Sequence, residues 1–206
     1  MGDTARELRP PARRFYTRRM REMPTVEEAE ELARELLEPL GNRWAHVQAV
    51  AARADGLTPA IEGEDEQHLL VVAAWLHDLG YAAPLRDTGC HQIDGARYLI
   101  AEAYPARLCA LVAHHSAATC EAEERGRLAD LEVWPREESP VADALWMADM
   151  TTGPRGEELA YSERLAEILS RYEPDSIVGR AMRRAEPSIS AAISRTQQRM
   201  QDAYTI

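Results

Sequence analysis

From Leu69 the chain reads Leu-Leu-Val-Val-Ala-Ala-Trp-Leu, an unbroken apolar run that ends on the adjacent imidazole and carboxylate of His77 and Asp78. Apolar side chains at every position from 69 to 76 leave a helix no polar face, so the run predicts a helix buried on all sides. Gly80 follows and reads as the left-handed residue just past a helix C-terminus. Burying a His-Asp pair is costly unless its members are paired or hold a cation. Other histidines are spaced along the chain as if to join them: His46 ahead, then His91, His114 and His115, with Asp149 beyond. The chain reads as a metal cage built from several helices.

The rest of the sequence is helical in its punctuation. Thr25-Val26-Glu27-Glu28 is a capping-box pattern, opening an amphipathic helix that runs through Leu37 and stops near Pro39-Leu40-Gly41. Asn42 is placed to cap the next helix, Arg43 to about Ala54, which carries His46 beside Trp44, Val47, Val50 and Ala51. Gly56 and Pro59 break it, and Glu62, Glu64, Asp65 and Glu66 suit the N-terminal dipole of the buried helix. Further helices are expected at Gly89–Tyr104 with His91, at Ala106–His115 behind Pro105, and at Val141–Met150 with Asp149 near its end. Residues 121–140 read as a short helix and a surface loop. Three more helices follow, Glu157–Tyr172, Asp175–Ala185 and Ser188–Tyr204. No strand pattern, heptad series or internal repeat is present. The fold class is all-α.

A chain of 206 residues with 45% hydrophobic content can bury a core within one domain. We divide it into a basic arm (1–23), a central helical domain (24–155) and C-terminal helices (156–206) packed on that domain. The arm carries seven arginines against three acids, +4, which leaves −15 for the remainder of a chain whose net charge is −11. It reads as a disordered leader, or as residues ahead of a natural start at Met20 or Met23; the other reading is an arm for an acidic partner. An acidic chain is unsuited to general nucleic-acid binding. All 24 basic residues are arginine, so any phosphate clamp is Arg or backbone, and a Schiff-base lysine is excluded. Cys90, Cys109 and Cys120 show no CxxC spacing and read as reduced. No apolar run reaches the roughly 18–20 residues of a membrane span, and no signal-peptide core is seen, so the expected location is cytoplasmic.

The order His46 … His77-Asp78 … Asp149 in an all-α context resembles the HD-domain superfamily of metal-dependent phosphohydrolases, over about residues 42–153. With His91 and His114/His115 the pattern is similar to that of its two-metal subgroup, which includes dinucleoside-polyphosphate hydrolases, cyclic-dinucleotide phosphodiesterases and diiron oxygenases. The resemblance implies a compact HD-domain bundle with additional C-terminal helices, and Asp78 bridging two ions. His46, His77 and Asp149 would hold one ion; His91 with His114 or His115 would hold the other. Adjacent helical residues point about 100° apart, so one of His114 and His115 could instead protonate the leaving group or contact phosphate. The implied cofactors are one or two divalent ions, Fe or Mn ahead of Mg, Co, Zn or Ni, and mixed N/O ligands suit such ions. A bridging hydroxide activated by two ions would attack a small phosphate ester, a nucleotide by family analogy. Other readings are a diiron oxygenase acting on a phosphonate or polyol, and a non-catalytic nucleotide-binding scaffold. Tyr81 departs from the Lys of many cyclic-dinucleotide phosphodiesterases and from the Glu of one-metal nucleotidase relatives, which disfavours both. Arg97 and Arg155 are candidates for phosphate contact, or else surface arginines. Asp94 either orients His91 or caps locally. His68 is read as a non-ligand, and the C-terminal helices as a cover for the site, a homodimer face or completion of the core.

Overall fold

Every side chain from Leu69 to Leu76 is buried, and helix α3 (Glu64–Leu76) accordingly passes through the middle of the molecule. The computed structural model describes residues 20–205. Most of the basic arm lies outside the described residues. At its end, Arg21 N–H donates to Ala103 O at 2.8 Å, and the guanidinium pairs with Glu102 and covers the Tyr104 ring.

Around α3 are packed α1 (Val26–Leu37), α2 (Asn42–Gly56), α5 (Ala106–His114) and α8 (Pro140–Met150), while α4 (His91–Ala101) lies on α5. The Thr25/Glu28 capping box is formed in both directions. Pro140 stands in the first turn of α8, where a missing N–H costs nothing, and Ser139 caps that helix. Short helices α6 (Ala118–Glu124) and α7 (Leu128–Leu131) and a loop fill the stretch before it. Beyond it come α9 (Tyr161–Ser170) and α10 (Ile177–Ala203), the latter packed on α8 and α6. Among the described residues there is no strand, only an isolated bridge between Thr152 and Glu158. No described helix is long and apolar enough to cross a membrane.

Three local expectations need correction. Asn42 is not a cap: Gly41 occupies that position at φ 54°, and Asn42 is the first helical residue. The helix expected from Glu157 starts at Tyr161, because Glu157 O and Leu159 N–H bond back to Gly153 N–H and Thr151 O. The last two helices are one: Pro187 lies inside α10. The bond that proline removes, and the roughly 3 kcal/mol a mid-helix proline costs, are outweighed by the burial of Ala185, Ile189, Ala192 and Ile193 on either side.

Candidate metal centre

Four helices and two turns deliver the polar cluster. His46 comes from the second turn of α2, His77 caps the end of α3, and Asp78 begins the turn that follows. His91 opens α4, His115 follows the end of α5, and Asp149 sits in the last turn of α8. His46, His77, Asp78, His115 and Asp149 are buried, and His91 is slightly exposed.

Three of the imidazoles are fixed in orientation by the backbone. Nδ1 of His46 lies 3.0 Å from Gly153 O, Nδ1 of His77 2.7 Å from Ala74 O, and Nδ1 of His115 2.7 Å from Val112 O. A carbonyl only accepts, so each Nδ1 carries the proton and each Nε2 faces inward; second-partner bonds of this kind orient metal-binding histidines. Buried Nε2 of His77 has no hydrogen-bond partner, although Asp78 Oδ2 is 3.2 Å away. A buried polar atom left unpaired costs about 1–3 kcal/mol, and here it belongs to a group of inward-facing donors. Two sets of ligand atoms lie within 4.8 Å of one another: those of His46, His77 and Asp149, and those of His77, Asp78 and His115. This imidazole and carboxylate set fits a divalent cation.

The two oxygens of Asp78 face different partners. Oδ2 lies 3.2 Å from His77 Nε2 and 3.8 Å from His46 Nε2, whereas Oδ1 lies 3.3 Å from His91 Nε2 and 3.8 Å from His115 Nε2. Asp149 Oδ1, on the first side, is 3.0 Å from His46 Nε2 and 3.9 Å from His77 Nε2.

His114 does not join this cluster. Its Nε2 bonds Trp134 O at 2.9 Å, and it is absent from the ring contacts that link His77, His91 and His115. The expectation of two helical neighbours pointing about 100° apart is therefore replaced. The helix ends at His114, His115 is extended (ψ 151°), and Ser116 and Ala117 take positive φ of 48° and 57°. Left-handed backbone at two non-glycine residues is strained. It sets Ser116 Oγ on Asp149 Oδ2.

Arg97 and Arg155 also lie elsewhere. Arg97 is engaged by Asp87 and Asp130, and Arg155 is an exposed side chain paired with Glu157; neither lines the cavity beside the cluster. Asp94 accepts from the Asp87 and Thr88 amides and the Thr88 hydroxyl, which is the local-capping alternative. His68 donates to Pro24 O at 2.8 Å, a structural bond. Cys90, Cys109 and Cys120 are free.

Besides Ser116, two residues at Asp78 escaped the sequence reading. Arg43 Nη1 donates to Asp78 Oδ2 at 2.5 Å, and its guanidinium lies 3.9 Å from the Tyr81 ring centre; Tyr81 stacks in turn on His91 at 4.0 Å. The signal for Arg43 was its place three residues before His46, on the same helix face. Tyr81 had been noted only for what it replaced.

Charge is unevenly shared. Burial works against a charge on His77, but Asp78 and Asp149 outweigh it and raise the imidazole to about 9. Burial, reinforced by His77 and His91, drives His115 down to about 3, so it is neutral, and its unprotonated Nε2 faces His91 Nε2 at 3.2 Å. Arg43 and His77 overcome burial to hold Asp78 well below the usual carboxylate range. In metal-free protein the His77 contribution to stability is complete below the unfolded value of about 6.5 and is lost as pH rises through about 9. Near pH 6.5 His115 opposes this trend, because it is neutral in the folded chain and about half protonated in the unfolded one; above about 7.5 it is neutral in both, and the carboxylates are ionised throughout. The melting temperature of chelator-treated protein should fall from about pH 7.5 to 9, and protein loaded with a divalent ion should not follow it, because the ion replaces the proton. A flat profile for the metal-free form would contradict this account of His77.

Beside the cluster opens a cavity of about 420 Å³, lined by Arg43, Tyr81, Gln92 and Glu121 and by residues of α9 and α10. Its size suits a small-molecule ligand. Fold and donor set together define an all-helical, metal-binding domain. Residues 43–144 match the family model described as HD domain, and the chain belongs to that family, whose superfamily is that of metal-dependent phosphohydrolases. The match stops before Asp149, which the fold nevertheless brings to the cluster. No curated protein and no solved structure matches the chain.

Proposed function

We propose that this protein hydrolyses a small phosphate ester, a nucleotide being the leading class, at a centre for two divalent ions divided by the Asp78 carboxylate. The observation that carries the reading is the opposed facing of the two Asp78 oxygens, one toward His46 and His77, the other toward His91 and His115. His46, His77, Asp149 and Asp78 Oδ2 would hold one ion; His91, His115 and Asp78 Oδ1 would hold the second. Ions so held supply Lewis-acid charge to a phosphoryl oxygen and make water a stronger nucleophile.

The chain's own groups prepare the site. The three Nδ1–H bonds fix the imidazoles so that no reorientation is needed on binding. Ser116 holds Asp149 in place. Arg43, a quarter exposed at the cavity wall, can donate to a phosphoryl oxygen while its face stays on Tyr81, a geometry open to a guanidinium and closed to an ammonium. His114, bonded to Trp134, takes no part in this scheme.

The test is phosphate release from a panel of nucleotides and simpler mono- and diesters by protein loaded with Mn or Fe. We expect turnover that falls more than about 100-fold in His115→Ala, beyond what loss of an outer-shell partner costs, and that stays within about 3-fold of wild type in His114→Ala. Absence of release across the panel overturns the reading; oxygen uptake by the iron-loaded protein would then favour the oxygenase chemistry of this donor set.

A further inference from the structure

Part of the cavity wall is formed by α9 and α10, which lie outside the matched segment 43–144. Arg164 lines it from the first turns of α9. It is 5% exposed, and its Nε has no hydrogen-bond partner. Its Nη1 reaches Glu167 at 2.5 Å, and that carboxylate also takes Nε of Arg171 at 2.8 Å, so two guanidiniums that line the cavity share one carboxylate. The group carries a surplus positive charge, with a buried donor unspent. Leaving a charged, donor-rich group incompletely paired at a buried position is costly. Arginine in such a position is suited to bind carboxylate or phosphate through two parallel N–H bonds. Ile168, Val178 and Met182 line the cavity around it with apolar surface.

We propose that Arg164, supported by Arg171, is the recognition site for a second anionic group of the substrate. The substrate is then a compound with an anion at each end, a phosphoryl group at the His/Asp cluster and a phosphate or carboxylate at Arg164, joined by a part that tolerates apolar walls. This deepens the phosphohydrolase reading and rests on it for the identity of the first anion only. Arg164 is a specificity residue that acts through binding, with no part in the reaction at the cluster.

The experiment is calorimetric titration of the full-length, metal-loaded protein with alkylene diphosphonates of increasing length, each set against the alkylphosphonate with a single anionic end. Their C–P bonds resist hydrolysis, so binding is read apart from turnover. The best diphosphonate should bind roughly 10-fold or more tighter than its one-ended counterpart, as a charge-assisted bond to a buried donor allows. The advantage should vanish in Arg164→Gln and survive only in part in Arg164→Lys, which keeps the charge and loses the paired N–H bonds, while alkylphosphonate affinity changes in neither. An advantage absent from wild type, or undiminished in Arg164→Gln, overturns the inference; the second case would place both phosphonates on the ions. Should Arg164→Gln fail to fold, Glu167→Gln serves: removing the shared carboxylate should tighten the diphosphonate a few-fold, and no change refutes the proposal. A diphosphonate advantage without hydrolysis of any ester would defeat the phosphohydrolase reading alone. Hydrolysis without the advantage would defeat this inference alone.

Discussion

Asp78→Asn should remove both metal equivalents, whereas Asp149→Asn should weaken only one. The asymmetry follows from the geometry. Asp149 Oδ1 lies 3.0 Å from His46 Nε2 on the Oδ2 side of Asp78, while the Oδ1 side has His91 and His115. An amide is nearly the size of a carboxylate, so the packing around position 78 survives. It lacks the charge, and its nitrogen offers protons where a ligand must offer lone pairs. Turnover should fall on the order of 10³-fold or more, well above the 10–100-fold that loss of an outer-shell partner costs. The same change removes the main influence that raises His77, so its imidazole titrates lower and the fall in metal-free stability toward pH 9 shrinks with it. Arg43 loses its anion, but it is a quarter exposed and water compensates much of that loss. The melting temperature should therefore respond far less than the metal content. Elemental analysis of the two variants is the measurement. If Asp78→Asn keeps one tight equivalent, Asp78 is a ligand to a single ion and the divided centre is wrong.

What could be read from the amino-acid order, and what could not, follows from the range of the interactions involved. The eight apolar residues from Leu69 fixed a buried helix because periodicity is local and no other structure hides every face. The capping box at Thr25 and the proline at the head of α8 are likewise local. The cluster members His46, His77, Asp78, His91 and Asp149 were visible as polar groups in apolar surroundings, joined by a family pattern. The choice between His114 and His115 was hidden: it depends on α5 ending one residue sooner than its apolar spacing suggests and on positive φ at Ser116 and Ala117. Those angles are imposed by tertiary packing and leave no compositional mark, since serine and alanine are not the usual occupants of such a turn. Pro187 misled for the converse reason, local chemistry overridden by burial on both sides. Arg164 carried a weak signal, an arginine four residues before buried Ile168 and so on the same face. Arginine on an apolar face is more often a stem laid over the core with its head in water, and only the fold shows that this head is buried.

Gly80→Ala should unfold the protein at markedly lower temperature, and the reason differs from the one the sequence suggested. Gly80 is not in the left-handed region, so no positive φ demands glycine there. A Cβ at this position would instead stand 1.9 Å from His91 O and 2.8 Å from Gly95 N. Both contacts are with backbone, which cannot swing aside as a side chain would. The turn after Asp78 lies directly on the first turns of α4, and Gly95 is glycine on the facing side, where a Cβ would meet Gly80 N at 3.1 Å. Making room means moving α4 as a body. Overpacking of this kind costs roughly 1–3 kcal/mol and occasionally more, and a rigid backbone on both sides places Gly80→Ala at or above the top of that range. At about 2–4 °C per kcal/mol for a domain of this size, the melting temperature should drop by roughly 6–12 °C. Gly56→Ala is the matched control, since a Cβ there meets nothing within 4 Å and no positive φ is involved; it should be neutral or slightly stabilising. The displacement also reaches the site. His91 is the first residue of α4 and the residue whose carbonyl is struck, so protein that still folds should keep the ion held by His46, His77 and Asp149 and lose affinity on the His91 side. A melting curve unchanged from wild type would mean that α4 and the turn are not packed backbone to backbone, and the glycine pair would then have no structural role.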